Sequence, residues 1–392
     1  MDFKTTYSEK QENFRREVRE WMETHLPPDM EFPPELEELD EKTHAFATGL
    51  RAKLAEKGWL APGWPKEYGG GGFSLEECLI LEEEFARRTM PRRYDLGRIA
   101  GAGILAMGTE EQKRKWLPPI AGGKIVVWQS FTEPDAGSDL ASLRLRAAKK
   151  GDQFIVNGQK TYTGDGHSVD YLYCLAITDP QAPRHRNMTA FMVKADLPGL
   201  SISHLDPLAG SRKNTVYFDE VPVPEDCLIG ELNRGWEVAL ASLQGERGII
   251  GAHIYHLQHL FEEFLEYCQN TRRNGQTLSR DAHVQEVLVN LYLDLKVQRL
   301  LFQHTSWKIS QRMSVTYEAP RLALYVKIFL PKFAAAVLEI AGPCALLSDS
   351  QWALFKGEME HFQRRSLMTH GGGTPEVIRV TLARALGLGR KR

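Results

Sequence analysis

The sequence predicts an α+β chain of three successive units: helical over 1–123, β-rich over 124–228 and a helical bundle over 229–392. Three observations predict it. Apolar residues recur at three- and four-residue spacing through the first third, the period of a one-sided helix. From about residue 124, short runs rich in Val, Ile, Tyr, Phe and Thr alternate with turn residues. After Gly230 the helical period returns and persists, as in an antiparallel bundle.

The elements follow in order. Phe14, Val18, Trp21, Met22 and Leu26 mark one helix face, and Leu36, Leu39, Phe46, Leu50 and Leu54 another. Thr109 with Gln112 makes a capping box that opens a helix over 109–117, and Pro118-Pro119 is expected to end it. Gly69–Gly72 is a loop. Strands are expected over 125–131, 153–163, 171–177, 188–194, 200–204 and 215–218, with a hairpin turn at Asn157-Gly158 and a close at Val221–Pro224. Trp236, Leu240, Leu243, Ile250, Ile254, Leu257, Phe261, Phe264 and Cys268 read as one long helix. Further helices fit 282–312, 319–341 (with Pro331 kinking it), 350–368 and 375–386.

A chain of 392 residues is long enough for two or three structural units. With 42% apolar residues, 26% charged residues and net charge −2, it lacks the basic surface that nucleic-acid binding requires. No apolar run is long enough to span a membrane, and the first residues carry no apolar leader. The five scattered cysteines form no C-x-x-C, so they are expected to be reduced, in the cytoplasm, with no metal site.

The most informative block is Thr132–Asp139, TEPDAGSD, followed by NGQK at Asn157–Lys160. It gathers hydroxyls, a fixed-φ proline and a glycine in one loop, which suits a flat polar ring approached by backbone N–H groups. Gly58-Trp59, Trp64-Pro65 and Gly69-Gly70 precede it, as do Gly108–Gln112 and Leu117-Pro118. Phe218-Asp219, Val221–Pro224, Gly230, Gly235-Trp236 and Gly373–Val377 follow it. Together these segments resemble, in order, those of the acyl-CoA dehydrogenase family.

The resemblance implies FAD between the β-unit and the bundle. Gln129, Phe131 and Thr132 would run along the isoalloxazine, with Tyr162 and Thr163 on its other side and Ser138 at the junction of flavin and substrate. Gly164 departs from the pattern, because many relatives carry a hydroxyl there. Thr374 and Glu376 fall where the family contacts the adenosine half, and Glu339 and Gly342 where a neighbouring subunit contacts it. Ala341-Gly342-Pro343 replaces the more usual double glycine, and the Arg-x-x-Phe-Gly motif is absent. Arg272 and Arg273 either substitute by bidentate phosphate contact or are simply solvated.

The chemistry implied needs a carboxylate to take the α-proton of a thioester. One branch of the family holds it just before the closing Gly-Thr, where this chain has Gly372. A second branch, which includes isovaleryl-CoA dehydrogenase, holds it in Leu-x-x-Glu-Arg, matched by Leu243–Arg247. Glu246 is therefore the expected base and Arg247 a substrate-end support; without that context the pair reads as a charged helix face. Gly372 is expected to polarise the thioester carbonyl through its N–H. Gly245, Gly248 and Gly251 leave room for either a wide acyl pocket or close helix packing. The segment Gln363–Arg365 with Gly371–Thr374 is similar to that of bacterial dehydrogenases of long, branched or steroid side-chain acyl-CoAs.

The expected activity is thus FAD-dependent α,β-dehydrogenation of an acyl-CoA, with a branched, cyclic or bulky acyl chain, in a homodimer or homotetramer that passes electrons to an electron-transfer flavoprotein. Two alternatives stand: other flavin chemistry on the same scaffold, as in desulfinases or monooxygenases, and a low-activity subunit of a hetero-oligomer. Three look-alikes carry less. His370–Gly373 mimics an esterase oxyanion loop but has no G-x-S-x-G elbow. His253, His256 and His259 do not converge on one face of a helix. No G-x-G-x-x-G follows a strand.

Overall fold

Helices open the chain in the computed structural model, which describes residues 7–27, 41–87, 97–164, 168–209, 213–248, 250–311 and 313–388. Helix α1 (Glu9–His25) is started by a Ser8/Gln11 capping box and buries Val18, Trp21 and Met22. Helix α2 (Glu41–Glu56) buries Leu50 and Leu54, whereas Leu36 and Leu39 lie outside the described residues. Helices α3 (Leu75–Phe85) and α4 (Gly97–Met107) follow. The adjacent buried carboxylates of α3 are braced to α1: Arg15 donates to Glu83 and, at 2.6 Å, to Glu84, while Arg19 also bonds Glu84 at 2.6 Å. Burial works against the charge on Glu84, but the guanidinium bonds win and hold its carboxyl below the usual range.

Helix α5 (Glu110–Ala121) starts at the expected Thr109/Gln112 box but runs through Pro118 and Pro119. The prolines sit in its last turn, where their carbonyls accept from Gly122 N–H (2.8 Å) and Lys124 N–H (2.9 Å). Buried Trp116, Leu117 and Ile120 hold that turn on the strands that follow.

Those strands are β1 (Val127–Ser130), β2 (Arg146–Lys150), β3 (Gln153–Thr163), β4 (Tyr171–Ile177), β5 (Met188–Lys194), β6 (Leu200–Leu205), β7 (Lys213–Pro224) and β8 (Leu228–Ile229). They form one sheet ordered β6-β7-β3-β2-β4-β5-β8, with β1 parallel to β4. Thr161 N–H bonds the Thr132 carbonyl at 2.9 Å, tying β3 back to the end of β1 and curling the sheet.

Asn157-Gly158 is not the expected hairpin turn. It is a bulge inside continuous β3, and the hairpin is Gly151-Asp152, between Lys150 and Gln153 of β2 and β3. Two-sided pairing decides this: β3 is held by both β2 and β7, and the Asn157 side chain clasps Glu220 of β7 by two hydrogen bonds, at 2.6 and 2.9 Å. Likewise β7 does not stop before Val221–Pro224; those residues continue it, opposite Gln153–Val156.

The expected long helix is described as two, α6 (Gly235–Gly248) and α7 (Ile250–Asn270), with Ile249 between them outside the described residues. Gly245 and Gly248 lie in the last turn of α6 and Gly251 in the first turn of α7. A short hairpin, β9 (Arg272–Arg273) and β10 (Gln276–Thr277), turns at Asn274-Gly275, both at positive φ. Then come α8 (Ala282–Ser310), α9 (Glu318–Ala341, with Pro331 inside), α10 (Glu358–Ser366) and α11 (Pro375–Ala385). The helix expected over 350–368 starts only at Glu358, because Phe355 and Lys356 take left-handed backbone before it.

The buried apolar residues do not follow these boundaries. The barrel-like core draws Ala100 and Ile104 from α4, Trp116 and Leu117 from α5, and Val238 and Ala239 from α6. Helices from both flanks are therefore seated on the sheet, and the separate bundle core lies around α7, α8, α9 and α10. Among the described residues no helix is long and apolar enough to cross a membrane.

Candidate active site

The TEPDAGSD loop is locked from within. Glu133 and Ala136 exchange backbone hydrogen bonds (3.0 and 3.1 Å) around Pro134-Asp135. The Glu133 carboxylate points inward, accepting from Arg144 N–H (2.6 Å), Leu145 N–H (2.9 Å) and the ammonium of Lys160 (2.8 Å). Lys160 is fully buried on β3 and also donates to the Phe131 carbonyl at 3.2 Å. Burial depresses the lysine's pKa and the Glu133 charge opposes that. Sequence reasoning singled out both motifs but missed this bond between them. The only signal in the sequence was an acid in one motif and a base in the other.

Around this clasp the structure brings together five of the expected flavin-contact residues. Gln129 is half-buried on β1 opposite Tyr173, and the Phe131 ring lies 5.2 Å from that of Tyr173. Thr132 is half-buried and backbone-bonded to β3, where Thr163 is buried and Tyr162 is 61% exposed at φ 52°. Ser138 is exposed at the loop's far end, next to Asp139.

Helix α6 is tied to the same strands. Ser242 donates to Val238 O (3.0 Å), so the 2.8 Å bond to Tyr173 is donated by the tyrosine hydroxyl. Gly103 of α4 permits this approach: a Cβ there would lie 2.3 Å from Ser242 Oγ. Backbone position 246 comes one helical turn after Ser242. The side chains of Glu246 and Arg247 lie outside the described residues.

Other expected site residues stand elsewhere. Gly372, at φ 66°, is exposed in the turn between α10 and α11. Lys327 of α9, not foreseen from the sequence, steadies that turn by donating to the carbonyls of Thr369 (2.8 Å) and Gly371. Thr374 caps α11, its hydroxyl accepting from Val377 N–H at 3.2 Å, and exposed Glu376 lies 3.3 Å from Arg379. Glu339 pairs with His283 at 2.7 Å, which raises the imidazole's pKa by hydrogen bond and charge. Gly342 ends α9 nearby, where exposed Arg273 donates to the Ile340 carbonyl; Arg272 is exposed beside it. Among the described residues no His, Cys, Asp or Glu cluster could hold a metal ion.

Profiles of the acyl-CoA dehydrogenase N-terminal, middle and C-terminal domains match residues 8–124, 129–221 and 233–387. The chain belongs to the acyl-CoA dehydrogenase family. This acyl-CoA dehydrogenase is 33% identical to the Mycobacterium tuberculosis acyl-CoA dehydrogenase FadE26, covering 98% of each chain. Its fold superposes on a structure described as the Tcur3481–Tcur3483 steroid ACAD with TM-score 0.88, at 30% identity over 100% of both chains. It also superposes on the ChsE4–ChsE5 complex from M. tuberculosis with TM-score 0.84, at 30% identity over 99% and 100%.

As an acyl-CoA dehydrogenase it is an oxidoreductase whose cofactor is FAD, and the residues present fit that group. Ser130 Oγ, Thr163 Oγ1 and Trp128 Nε1 are buried beside the bed without a protein partner, an arrangement that calls for a further polar group. The missing hydroxyl at Gly164 has a steric cause. Its φ is 62°, and a Cβ there would fall 2.1 Å from Trp128 Cδ2, so the indole occupies the space a side chain would need.

Proposed function

We propose that this acyl-CoA dehydrogenase removes the α-proton of a bulky acyl-CoA through Glu246. The supporting observation is the Tyr173–Ser242 bond, which seats α6 on the strand beside Gln129 and Phe131 one turn before position 246. FAD, when bound, supplies a two-electron acceptor for the β-hydride. Gln129, Phe131, Thr132, Ser138, Tyr162 and Thr163 would hold its ring. Thr374 and Glu376, with Arg272, Arg273, Glu339 and Gly342 of a neighbouring subunit, would hold its adenosine and phosphate end.

The chain's own part is proton and charge handling. The Glu246 carboxylate takes the α-proton, the electron pair of that C–H bond forms the new double bond, and the β-hydrogen leaves with its pair. The Gly372 N–H stabilises negative charge on the thioester oxygen, and Arg247 supports the substrate end. A carboxylate enclosed by acyl chain and flavin is desolvated, which raises its basicity. The product is a 2-enoyl-CoA, and an electron-transfer flavoprotein fits as acceptor. The branched, cyclic or steroid-like acyl class rests on the steroid description of the solved relative and on the small residues Gly245, Gly248 and Gly251 around position 246 in the sequence.

Glu246→Gln should retain the yellow colour and CoA-ester binding while anaerobic flavin bleaching slows by several orders of magnitude. A rate near wild type would remove Glu246 from the mechanism. A second reading, a subunit that works only with a different chain, is favoured by the paired names of the solved relatives. A colourless protein when purified alone, turning yellow with a partner dehydrogenase chain, would select it over the homodimer or homotetramer.

A further inference from the structure

Helix α6 is pinned to the sheet at two levels. At its start, Asn233 N–H donates to Thr189 Oγ1 at 2.9 Å, and the Asn233 side-chain oxygen accepts from Thr178 Oγ1 at 2.5 Å. Gly235, the first residue of the helix, lies directly on β5: a Cβ there would fall 2.6 Å from the Thr189 carbonyl carbon. The second level is the Tyr173–Ser242 bond, 2.8 Å long between two fully buried side chains. Burial pushes the phenol's pKa up, so the hydroxyl keeps the proton it donates. The same residue also meets the proposed flavin bed. Its ring lies 5.2 Å from that of Phe131, and its backbone is paired with Gln129 across β1 and β4. One rigid side chain thus reaches from the bed to the helix that carries position 246.

We infer that Tyr173 is a positioning residue: its hydroxyl, through Ser242, sets the spacing between the proton-accepting carboxylate at 246 and the flavin bed. Apolar contacts of Val238 and Ala239 decide how deep the helix sits, but such contacts are non-directional and leave its tilt and rotation soft. A hydrogen bond between two buried groups is directional and removes that freedom. Position 246 is eleven residues past Gly235, about 16 Å along the axis, so a tilt of about 4° at the start moves it by about 1 Å. A misplacement of about 1 Å can cost about 100-fold in rate. The α-carbon must meet the base while the β-carbon meets the flavin, so this spacing is what the reaction senses. The inference rests on the reading of Glu246 as the base.

The test separates proton removal from hydride loss. A 3-thiaacyl-CoA, with sulfur in place of the β-carbon, offers an acidic α-hydrogen but no β-hydride. Straight, branched and cyclic 3-thiaacyl-CoAs are incubated with the FAD-loaded protein in D2O, and α-deuterium uptake by mass spectrometry follows the base alone. Tyr173→Phe keeps the ring and removes the donor. It should slow uptake by about 10- to 100-fold and lower kcat to match with whichever ordinary esters bleach the flavin. KM, calorimetric probe affinity and flavin retention should stay as in wild type. Ser242→Ala should slow uptake equally, and the two substitutions together no further, because one and the same bond is lost. The double variant leaves neither hydroxyl buried and unpartnered, so its melting temperature should stay near that of wild type. Uptake by Tyr173→Phe at the wild-type rate, or a double variant slowed by the product of the two single effects, would overturn the inference. Glu246→Gln reports separately. Undiminished uptake there, or no uptake by wild type with any probe, sinks the base assignment itself. Uptake lost in Glu246→Gln but unchanged in Tyr173→Phe sinks the positioning role alone.

Discussion

Replacing Lys160 by methionine tests the clasp between the TEPDAGSD loop and β3, on which the proposed flavin bed stands. The side chain is fully buried, 2.8 Å from a Glu133 carboxylate whose own side chain is 5% exposed. Methionine keeps most of the volume, so the loss is electrostatic. Removing one partner of a buried pair costs about 3–5 kcal/mol, because the other charge is left uncompensated. Glu133 keeps its two backbone N–H donors, Arg144 and Leu145, which places the expected cost near the lower end, about 3 kcal/mol. Glu133→Gln should cost less, since burial already depresses the Lys160 pKa and the amine can shed its proton. Joining the two substitutions removes both charges, and a coupling of about 2 kcal/mol is expected in the double-mutant cycle. Urea unfolding followed by circular dichroism, with flavin release followed by fluorescence, measures both stability and the bed. A Lys160→Met variant within about 1 kcal/mol of wild type, or strictly additive substitutions, would refute the clasp.

Three further outcomes follow from the geometry. Gly164→Ala should lower the melting temperature and flavin retention, combining about 1 kcal/mol of left-handed strain with overpacking against Trp128; adding Trp128→Ala should relieve only the second part. Gly103→Ala, whose Cβ would lie 2.3 Å from Ser242 Oγ and 2.8 Å from Tyr173 OH, should push α4 from α6 and cost about 1–3 kcal/mol by thermal unfolding; Ser242→Ala should soften that loss. Burial and the neighbouring Glu263 push the Glu358 carboxyl up to about 7, beside His256 at 3.6 Å, with His259 lying 3.8 Å from Glu263. The folded state thus holds a proton that the unfolded state has released above its ordinary value of 4.5. Stability should therefore fall, by at most about 3 kcal/mol, as pH rises from 4.5 through 7, and Glu358→Gln should flatten that slope.

What could be read from the sequence was whatever depends on neighbours a few residues away. The Thr109/Gln112 cap, the bundle helices after Ala282 and most strands of the sheet are of that kind, since capping and periodicity act within one or two turns. Asn157-Gly158 shows the limit. Its local preference is a turn, but pairing with β2 and β7 on both sides outweighs that preference, and the glycine serves a bulge instead. The reading that points to Glu246 came from residue types alone, since a glycine at position 372 cannot take a proton. The partners were not legible: Glu133 meets Lys160 across 27 residues, Trp128 meets the backbone of Gly164, and Arg184 and Trp236 converge with Arg384. Such meetings depend on which faces the folded chain must hide from water. Burial is a property of the whole molecule, so only the tertiary structure decides it.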